Sequence, residues 1–163
     1  MKKIKLAVVG VGNCASSLIQ GIEYYEHHHN KHSDGIMQPK INGWRPQDIK
    51  IVAAFDIDKR KVGLPVAKAI FAEPNCTTVF QKVIPVNGVG VKMGPVLDGM
   101  ADHMKEYPES QSFRVANVKP VNVVEELKNS GAEVMVCYLP VGSQKAVEFY
   151  ANACLQAKVA MVN

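Results

Sequence analysis

Lys3 to Tyr25, KIKLAVVGVGNCASSLIQGIEYY, is the stretch that decides the fold. Its apolar run from Ile4 to Val9 contains β-branched residues and is typical of a strand covered on both faces. A glycine-rich turn follows, and the residues after the turn have helical spacing. The apolar side chains expected on one helix face are Cys14, Ala15, Leu18, Ile19, Ile22 and Tyr25. The stretch therefore predicts a buried strand, a tight turn and a helix.

The turn has the pattern G-x-G-x-x-A, formed by Gly10, Gly12 and Ala15. Gly10 permits a tight turn, Gly12 lets the backbone approach a pyrophosphate, and Ala15 keeps the helix close to the strand. The unpaired N–H groups near Asn13 and Cys14, where the helix opens, would hold the phosphates. The pattern indicates a dinucleotide site, although a ligand-free strand-to-helix turn can have the same residues. No lysine followed by serine or threonine comes after the glycines, which disfavours a Walker-type nucleotide hydrolase.

A second strand is predicted from Ile49 to Phe55, and Asp56 follows it directly. In dinucleotide-binding folds an acidic residue at this place accepts hydrogen bonds from the adenosine ribose. Its carboxylate would repel a ribose 2′-phosphate and so favours NAD over NADP, while Lys59 and Arg60 soften that preference. The alternative for Asp56 is a helix N-cap, and for the two basic residues a solvated surface.

Residues 26–48 form a polar insertion that separates the helix from the second strand. Glycine, proline and asparagine punctuate it without a sustained period, so we expect a long surface loop. Trp44 is expected to dock this loop onto the domain rather than to stack on a ligand. Its four histidines are His27, His28, His29 and His32. Consecutive histidines project in different directions, and no cysteine or carboxylate has a recognised ligand spacing, so we predict no metal site.

The rest of the chain alternates strands and helices. A short helix is expected within residues 63–72 and an irregular segment over 75–95, followed by a turn and a helix through His103. A helix over 118–129 stops at Gly131, and an apolar strand over 133–139 leads to a turn and a helix that begins near Ser143. The alternation predicts an α/β fold, a doubly wound, mostly parallel, Rossmann-like sheet.

Composition narrows the class of protein. With 163 residues and 47% hydrophobic content, the chain can bury one core, so residues 1–163 are taken as one domain. The net charge is +4, and the basic residues are scattered among acidic ones, which argues against nucleic acid as a partner. The sequence contains no apolar run of about 18 residues, the length needed for a membrane span. Four separated cysteines, three of them in apolar surroundings, suit reduced core thiols in a cytoplasmic protein. The chain ends on a predicted strand, so we expect it to be the N-terminal part of a longer protein whose sheet is incomplete here.

Several segments together resemble one family. VGVGNCASSLIQGIEYY, AAFDIDKRKVG, GPVLDGM, CYLPVGSQKAVEFYANA and the final VAMVN are similar to the N-terminal part of bacterial and archaeal myo-inositol-1-phosphate synthases. The resemblance runs in order across almost the whole chain. It implies an NAD-dependent isomerase of inositol and phospholipid biosynthesis. Such an enzyme converts D-glucose 6-phosphate into 1D-myo-inositol 3-phosphate by internal oxidation, aldol cyclisation and reduction.

The resemblance also implies roles for particular residues. The turn from Gly10 to Ala15 would hold the NAD pyrophosphate, and Asp56 would bind the adenosine ribose. The backbone around Val118 would border the adenine, and Tyr138 with the LPVGS turn would lie along the cofactor. The family's catalytic lysines and most of its tetramer contacts belong to a C-terminal part not included here. We therefore assign no catalytic residue, expect no turnover by residues 1–163 alone, and expect a homotetramer only at full length.

Two other functions remain open on the residues alone. One is an NAD-dependent dehydrogenase with net hydride transfer, because many enzymes share such a domain and a fold does not fix a function. The other is a non-catalytic NAD-sensing module. Net production of NADH distinguishes the dehydrogenase from the synthase, in which the hydride returns within one turnover.

Overall fold

The computed structural model describes residues 2–28, 35–85, 88–100 and 102–163. Its centre is a five-stranded sheet with the order β3-β2-β1-β4-β5, in which every neighbouring pair is parallel. The strands are β1 Ile4–Val9, β2 Ile49–Asp56, β3 Val91–Met93, β4 Val134–Cys137 and β5 Ala160–Val162. The predicted α/β class and parallel sheet are confirmed. No helix of the described residues has the length and apolarity needed to cross a membrane.

Four α-helices connect the strands. They are α1 Asn13–His27, α2 Val66–Ala69, α3 Val123–Ser130 and α4 Gln144–Ala157. The side chain of Asn122 accepts the N–H of Glu125 at the start of α3, and Gly131 ends that helix in the left-handed conformation with φ 64°. The predicted stop at Gly131 is therefore confirmed.

The sheet is covered on both faces, which is why β1 reads as a continuous apolar run. Leu6 and Val8 pack on one side, in a core that includes Ile19 of α1. Ala7 and Val9 pack on the other, with residues of α3 and α4. Alternate residues of a strand point to opposite faces, so a strand between two helical layers needs apolar residues at every position.

The segment predicted to be irregular contains a strand. Val91–Met93 pairs with the end of β2, with Val91 opposite Ala54. Three residues are too few to show a period, so pairing with β2 decides this conformation rather than local sequence. The helix expected after residue 94 is absent from the described residues, where a loop leads to a short 3₁₀ turn, Asp102–Glu106.

The predicted buried side of α1 is confirmed in part. Ala15 and Ile19 are buried as expected, but Cys14 is exposed, and the polar residues Ser16 and Gln20 are buried as well. The reason is an extended segment, residues 75–81, that lies on α1 and binds polar side chains there.

The cysteines show the same correction. Cys137 and Cys154 are buried thiols, as expected, whereas Cys14 and Cys76 are exposed. The helix face that looked apolar in the sequence therefore contributes no core thiol.

The insertion is partly described. It overlaps the end of α1 at residue 27, and beyond the gap Ile41 and Trp44 form an isolated antiparallel bridge before the 3₁₀ turn Pro46–Asp48. His29 and His32 lie outside the described residues. Among the residues that are described, no three histidine, cysteine or acidic side chains come together as metal ligands.

Gln20 ties the extended segment to α1. Its side chain is fully buried, and Oε1 accepts the N–H groups of Phe80 and Gln81 at 3.0 and 3.1 Å. Its Nε2 donates to Ser16 Oγ at 3.1 Å and to the Thr78 carbonyl at 3.4 Å. One amide thus satisfies four partners, three of them on a chain segment with no regular structure of its own.

We predict that Gln20→Met lowers the free energy of unfolding by about 3 kcal/mol, because buried N–H groups lose their acceptor. Chemical denaturation with circular dichroism measures the change. Gln156→Met is the matched control, since Gln156 is an exposed residue of α4. Equal stability of the two variants would show that the Gln20 amide does not hold the segment.

Candidate functional site

A cavity of about 290 Å³ lies at the carboxyl ends of β1, β2 and β4. Open parallel sheets place their ligands at this edge. Five of the residues predicted to bind a cofactor line the cavity: Gly10, Gly12, Asn13, Asp56 and Tyr138. The loop between residues 95 and 100 forms another part of the wall.

The other predicted residues lie elsewhere. Cys14 lines a separate groove along α1, and Ala15 is fully buried beneath the turn. Val118 is 55% exposed and is not among the residues that line the cavity. The N–H of Ala116 donates to the Ile57 carbonyl at 2.8 Å, so the segment that leads to Val118 follows the edge of the cavity.

The two glycines of the turn have different surroundings. Gly10 has φ 84°, its N–H donates to the Phe55 carbonyl, and an added Cβ would lie 2.7 Å from the Tyr138 carbonyl oxygen. The turn therefore needs glycine here both for its conformation and for strand contact. An added Cβ at Gly12 would meet no heavy atom within 4 Å. Gly12 is thus open on the side where its backbone lines the cavity.

The amino end of α1 is uncapped by any described side chain, and its first turn contains no acidic residue. By contrast, Asn122 caps α3, and the carboxylate of Asp98 accepts the N–H groups of Lys145 and Ala146 at 2.7 and 3.0 Å at the start of α4. Uncapped N–H groups and the helix dipole favour an anion. Of these three helix starts, α1 has the exposed donors for a phosphate.

Asn13 contributes its backbone rather than its side chain to this helix start. The side-chain oxygen accepts the N–H of Cys76 at 3.0 Å, and the side-chain amide contacts Cys76 Sγ at 3.1 Å. Its carbonyl accepts the Thr77 hydroxyl at 3.0 Å. The side chain is thereby occupied in holding residues 76–77 beside the turn.

The Asp56 carboxylate is already largely engaged. Its Oδ1 accepts the N–H groups of Ile57 and Asp58 at 2.7 and 2.8 Å, and its Oδ2 accepts the N–H of Val11 at 2.7 Å. A carboxylate has about four acceptor positions, so one on Oδ2 is left for a ligand hydroxyl. The sequence alternative of a helix N-cap is not what the structure shows, because no helix begins in the residues that follow.

The two basic residues expected near the ribose point away from the cavity. Lys59 Nζ binds Glu109 at 2.8 Å, and Arg60 donates through Nε and Nη2 to the buried carboxylate of Asp58 at 3.1 and 2.8 Å. The hydrogen bond to Asp58 raises the pKa of Arg60, so this guanidinium stays charged. Neither residue lines the cavity.

Sequence reasoning missed Lys61, the third member of the basic run. It is only 4% exposed, it lines the cavity, and its Nζ donates to the Val11 carbonyl at 2.7 Å. No sequence pattern separates three consecutive basic residues into two that face outward and one that faces inward, because that depends on how the turn after β2 folds.

Two tyrosines also line the cavity. Tyr138 follows β4, and partial burial raises its pKa, so it is a neutral hydroxyl at neutral pH. Tyr150 of α4 is 2% exposed and packs on Phe55 with ring centroids 6.0 Å apart; burial raises its pKa strongly. The position of Tyr150 in the cavity wall could not be predicted from sequence, because it depends on how α4 packs against β2.

The loop over residues 95–100 is fastened to the start of α4. Asp98 caps the helix, and Gly99 fits so closely against Ser143 that an added Cβ would overlap the Ser143 hydroxyl. Ser143 occupies the predicted N-cap position, but its own side chain makes no capping hydrogen bond. The loop therefore forms a fixed wall of the cavity rather than a surface connection.

Known proteins match the chain over nearly its whole length. The inositol-3-phosphate synthase of Mycobacterium tuberculosis is 41% identical over 162 residues, which are 99% of this chain and 42% of that protein. The inositol-3-phosphate synthase of Corynebacterium glutamicum is 44% identical over 161 residues, 98% of this chain and 43% of that protein. The chain is related to inositol-3-phosphate synthases. It spans less than half the length of these relatives.

The fold has a counterpart of similar sequence among solved structures. The crystal structure of a protein called Ari2 superposes with a TM-score of 0.79 at 38% identity and covers 99% of this chain and 45% of that one. No protein-family model matches the chain.

We predict that alanine lowers the stability of the protein at Gly10 and its affinity for a dinucleotide at Gly12. Gly10→Ala lowers the free energy of unfolding by about 3 kcal/mol, because φ is positive and the Cβ meets a strand carbonyl. Gly12→Ala changes the free energy of unfolding by less than about 1 kcal/mol but weakens dinucleotide binding, because its Cβ occupies the space in which the ligand would contact the backbone of residue 12. Thermal melting and calorimetric titration with NAD⁺ measure the two effects. Unchanged NAD⁺ affinity in Gly12→Ala would contradict the assignment of this cavity.

We predict that the Asp98 loop is released from α4 in acid. Desolvation of the carboxyl is the largest single effect and raises its pKa. The hydrogen bonds from the N–H groups of Lys145, Ala146 and Asp98 itself, with the charge of Lys145, together outweigh it, so the pKa is lowered overall. The stabilisation is then complete above the ordinary carboxyl pKa and is lost as the pH falls through the lower folded value. NMR titration of the two amide signals follows the release, and Asp98→Asn, which has no carboxyl, is the control. Signals that move only when the whole chain unfolds would contradict the prediction.

Proposed function

We propose that this chain is the NAD-binding portion of an inositol-3-phosphate synthase. Such an enzyme converts D-glucose 6-phosphate into 1D-myo-inositol 3-phosphate by internal oxidation, aldol cyclisation and reduction. The observation that carries the proposal is the identity of 41–44% across 98–99% of the chain to enzymes of that name. The geometry of the cavity supports it independently.

The residues of the cavity fit a dinucleotide. The Gly10–Ala15 turn offers an open backbone position at Gly12 and the uncapped start of α1, which suit a pyrophosphate. Asp56 has one acceptor position left for a ribose hydroxyl, and a fixed negative charge there disfavours a 2′-phosphate.

The two ends of the cofactor need different parts of the surface. Tyr138, which lines the cavity beside the LPVGS turn, would lie along the cofactor. Val118 would border the adenine only if the ligand extends past the cavity, along the edge where Ala116 binds Ile57.

NAD supplies a hydride acceptor and, after oxidation of the substrate, a hydride donor in one site. The chain's own contribution would be to bind and orient the cofactor: the turn would hold the phosphates, and Asp56 would hold the ribose. Apolar side chains of the cavity wall, such as Leu97, Met100 and Leu139, would exclude water from the bound cofactor. We assign no proton transfer to any residue of the chain. The relatives are more than twice as long as the matched region. The activity, the substrate, a homotetramer and a cytoplasmic location are therefore proposed for the whole protein that carries this sequence.

Ligand titration tests the proposal. Isothermal calorimetry is expected to show binding of NAD⁺ and binding of NADP⁺ that is at least about tenfold weaker, since the 2′-phosphate meets Asp56. Asp56→Asn should weaken NAD⁺ about tenfold and narrow the NAD⁺/NADP⁺ ratio, because a charge-assisted bond and a repulsion are lost together. Asp48→Asn is the control, since Asp48 caps only the 3₁₀ turn before β2.

The activity is tested on the whole protein. With D-glucose 6-phosphate and NAD⁺ we expect inositol phosphate without accumulation of NADH. Absence of NAD⁺ binding by the wild-type protein refutes the proposed function, and net NADH with an alcohol substrate supports a dehydrogenase instead.

A further inference from the structure

Two oppositely charged side chains hold the backbone of one residue of the glycine turn on both sides. Val11, between the two glycines, is fully buried. Its N–H donates to Asp56 Oδ2 at 2.7 Å, and its carbonyl accepts a hydrogen bond from Lys61 Nζ at 2.7 Å. Both side chains come from the end of β2 and the turn after it, so the conformation of the glycine turn is determined from outside its own sequence.

Lys61 is an unusual residue to bury. Its side chain is 4% exposed, and among the described residues no carboxylate lies within 4.0 Å of its Nζ. An ammonium has three N–H donors. Among the described residues, the Val11 carbonyl is the one group that accepts a hydrogen bond from Lys61 Nζ. Buried charges are rare unless they are paired, so this one requires an explanation.

The charges around the cavity supply that explanation. Asp58 is neutralised by Arg60, and Asp98 is stabilised by the start of α4. In the part of the chain that the structure describes, no cation pairs with Asp56, and a ligand with two phosphates would enter beside its carboxylate. The ammonium of Lys61 lines the same cavity and offsets that repulsion.

We propose that Lys61 is a positioning residue for the dinucleotide. With Asp56 it fixes the two peptide groups on either side of Val11, so that the N–H groups that follow are held in place for the pyrophosphate. Its charge stabilises the pyrophosphate. The inference rests on the proposed function, because it takes the ligand of the cavity to be a dinucleotide. It assigns a role to a residue that the glycine pattern does not include.

Lys59 is the matched control for Lys61. It belongs to the same turn and carries the same charge, but its side chain is 46% exposed and binds Glu109 outside the cavity. Removing either ammonium changes the net charge of the protein equally. Only a local effect on the glycine turn distinguishes the two positions.

The experiment compares ligands with and without a pyrophosphate in the full natural protein. Affinities for NAD⁺, ADP-ribose and adenosine are measured by calorimetry, or by NMR where binding is weak, for wild type, Lys61→Met and Lys59→Met. In Lys61→Met we expect NAD⁺ and ADP-ribose to bind about tenfold more weakly and adenosine to bind within about twofold of wild type. Lys59→Met should match wild type for all three ligands.

Each outcome has a distinct meaning. Wild-type protein that binds no NAD⁺ refutes the proposed function and the inference with it. Wild-type binding that is unchanged in Lys61→Met overturns the inference alone. Equal losses for adenosine and ADP-ribose also overturn it, because they indicate a general structural defect.

Two further variants cover the case in which Lys61→Met does not fold. Lys61→Arg keeps the charge and a donor for the Val11 carbonyl, whereas Lys61→Gln keeps a donor without the charge. We expect Lys61→Arg to bind ADP-ribose within about threefold of wild type and Lys61→Gln to bind it about tenfold more weakly. Equal affinities in both variants would overturn the role of the charge.

Discussion

The close contact of Gly10 with its two neighbouring strands is the constraint on which the site depends. Its N–H donates to the Phe55 carbonyl at the end of β2, while its α-carbon leaves no room for a side chain beside the Tyr138 carbonyl after β4. One residue thus sets the spacing of three strand ends. Because β1 is buried on both faces, this spacing cannot relax by movement of the strand. The loops that leave these three ends form one part of the cavity, and the loop over residues 95–100, which follows β3, forms another.

The three longer helices show how the chain separates structure from binding. α3 and α4 each receive an acceptor from a side chain, Asn122 in one case and Asp98 in the other. In the described residues α1 receives none. The N–H groups of a helix start without an acceptor from the protein are left for water or for a ligand. The contrast within one molecule supports an anionic ligand at α1 more strongly than the glycine pattern does alone.

The sequence predicted features that depend on local chemistry. The apolar run of β1, the glycine turn and the stop at Gly131 follow from burial, backbone conformation and helix termination, and each is confirmed. Features that depend on distant partners were not predictable. β3 exists because β2 offers an edge, the buried side of α1 is decided by residues 75–81, and Lys61 faces inward because of the turn after β2. The same division applies to the cavity: the glycine turn and Asp56 at the end of β2 were predicted to lie there, whereas Lys61 and Asp98 were not.

In the proposed function, one carboxylate, that of Asp56, would combine two tasks, and this would limit how the site could be redesigned. The oxygen that remains for a ribose hydroxyl is the same oxygen that accepts the Val11 N–H, while the other oxygen terminates β2 by binding Ile57 and Asp58. Replacing the carboxylate by a side chain without acceptor oxygens, in order to alter cofactor preference, would therefore leave the Val11 N–H without an acceptor. It would also remove the hydrogen bond that holds Ile57, the first residue after β2. A successful redesign has to supply a second acceptor for Val11 before it changes the charge. Cofactor preference and the integrity of the turn are inherited together.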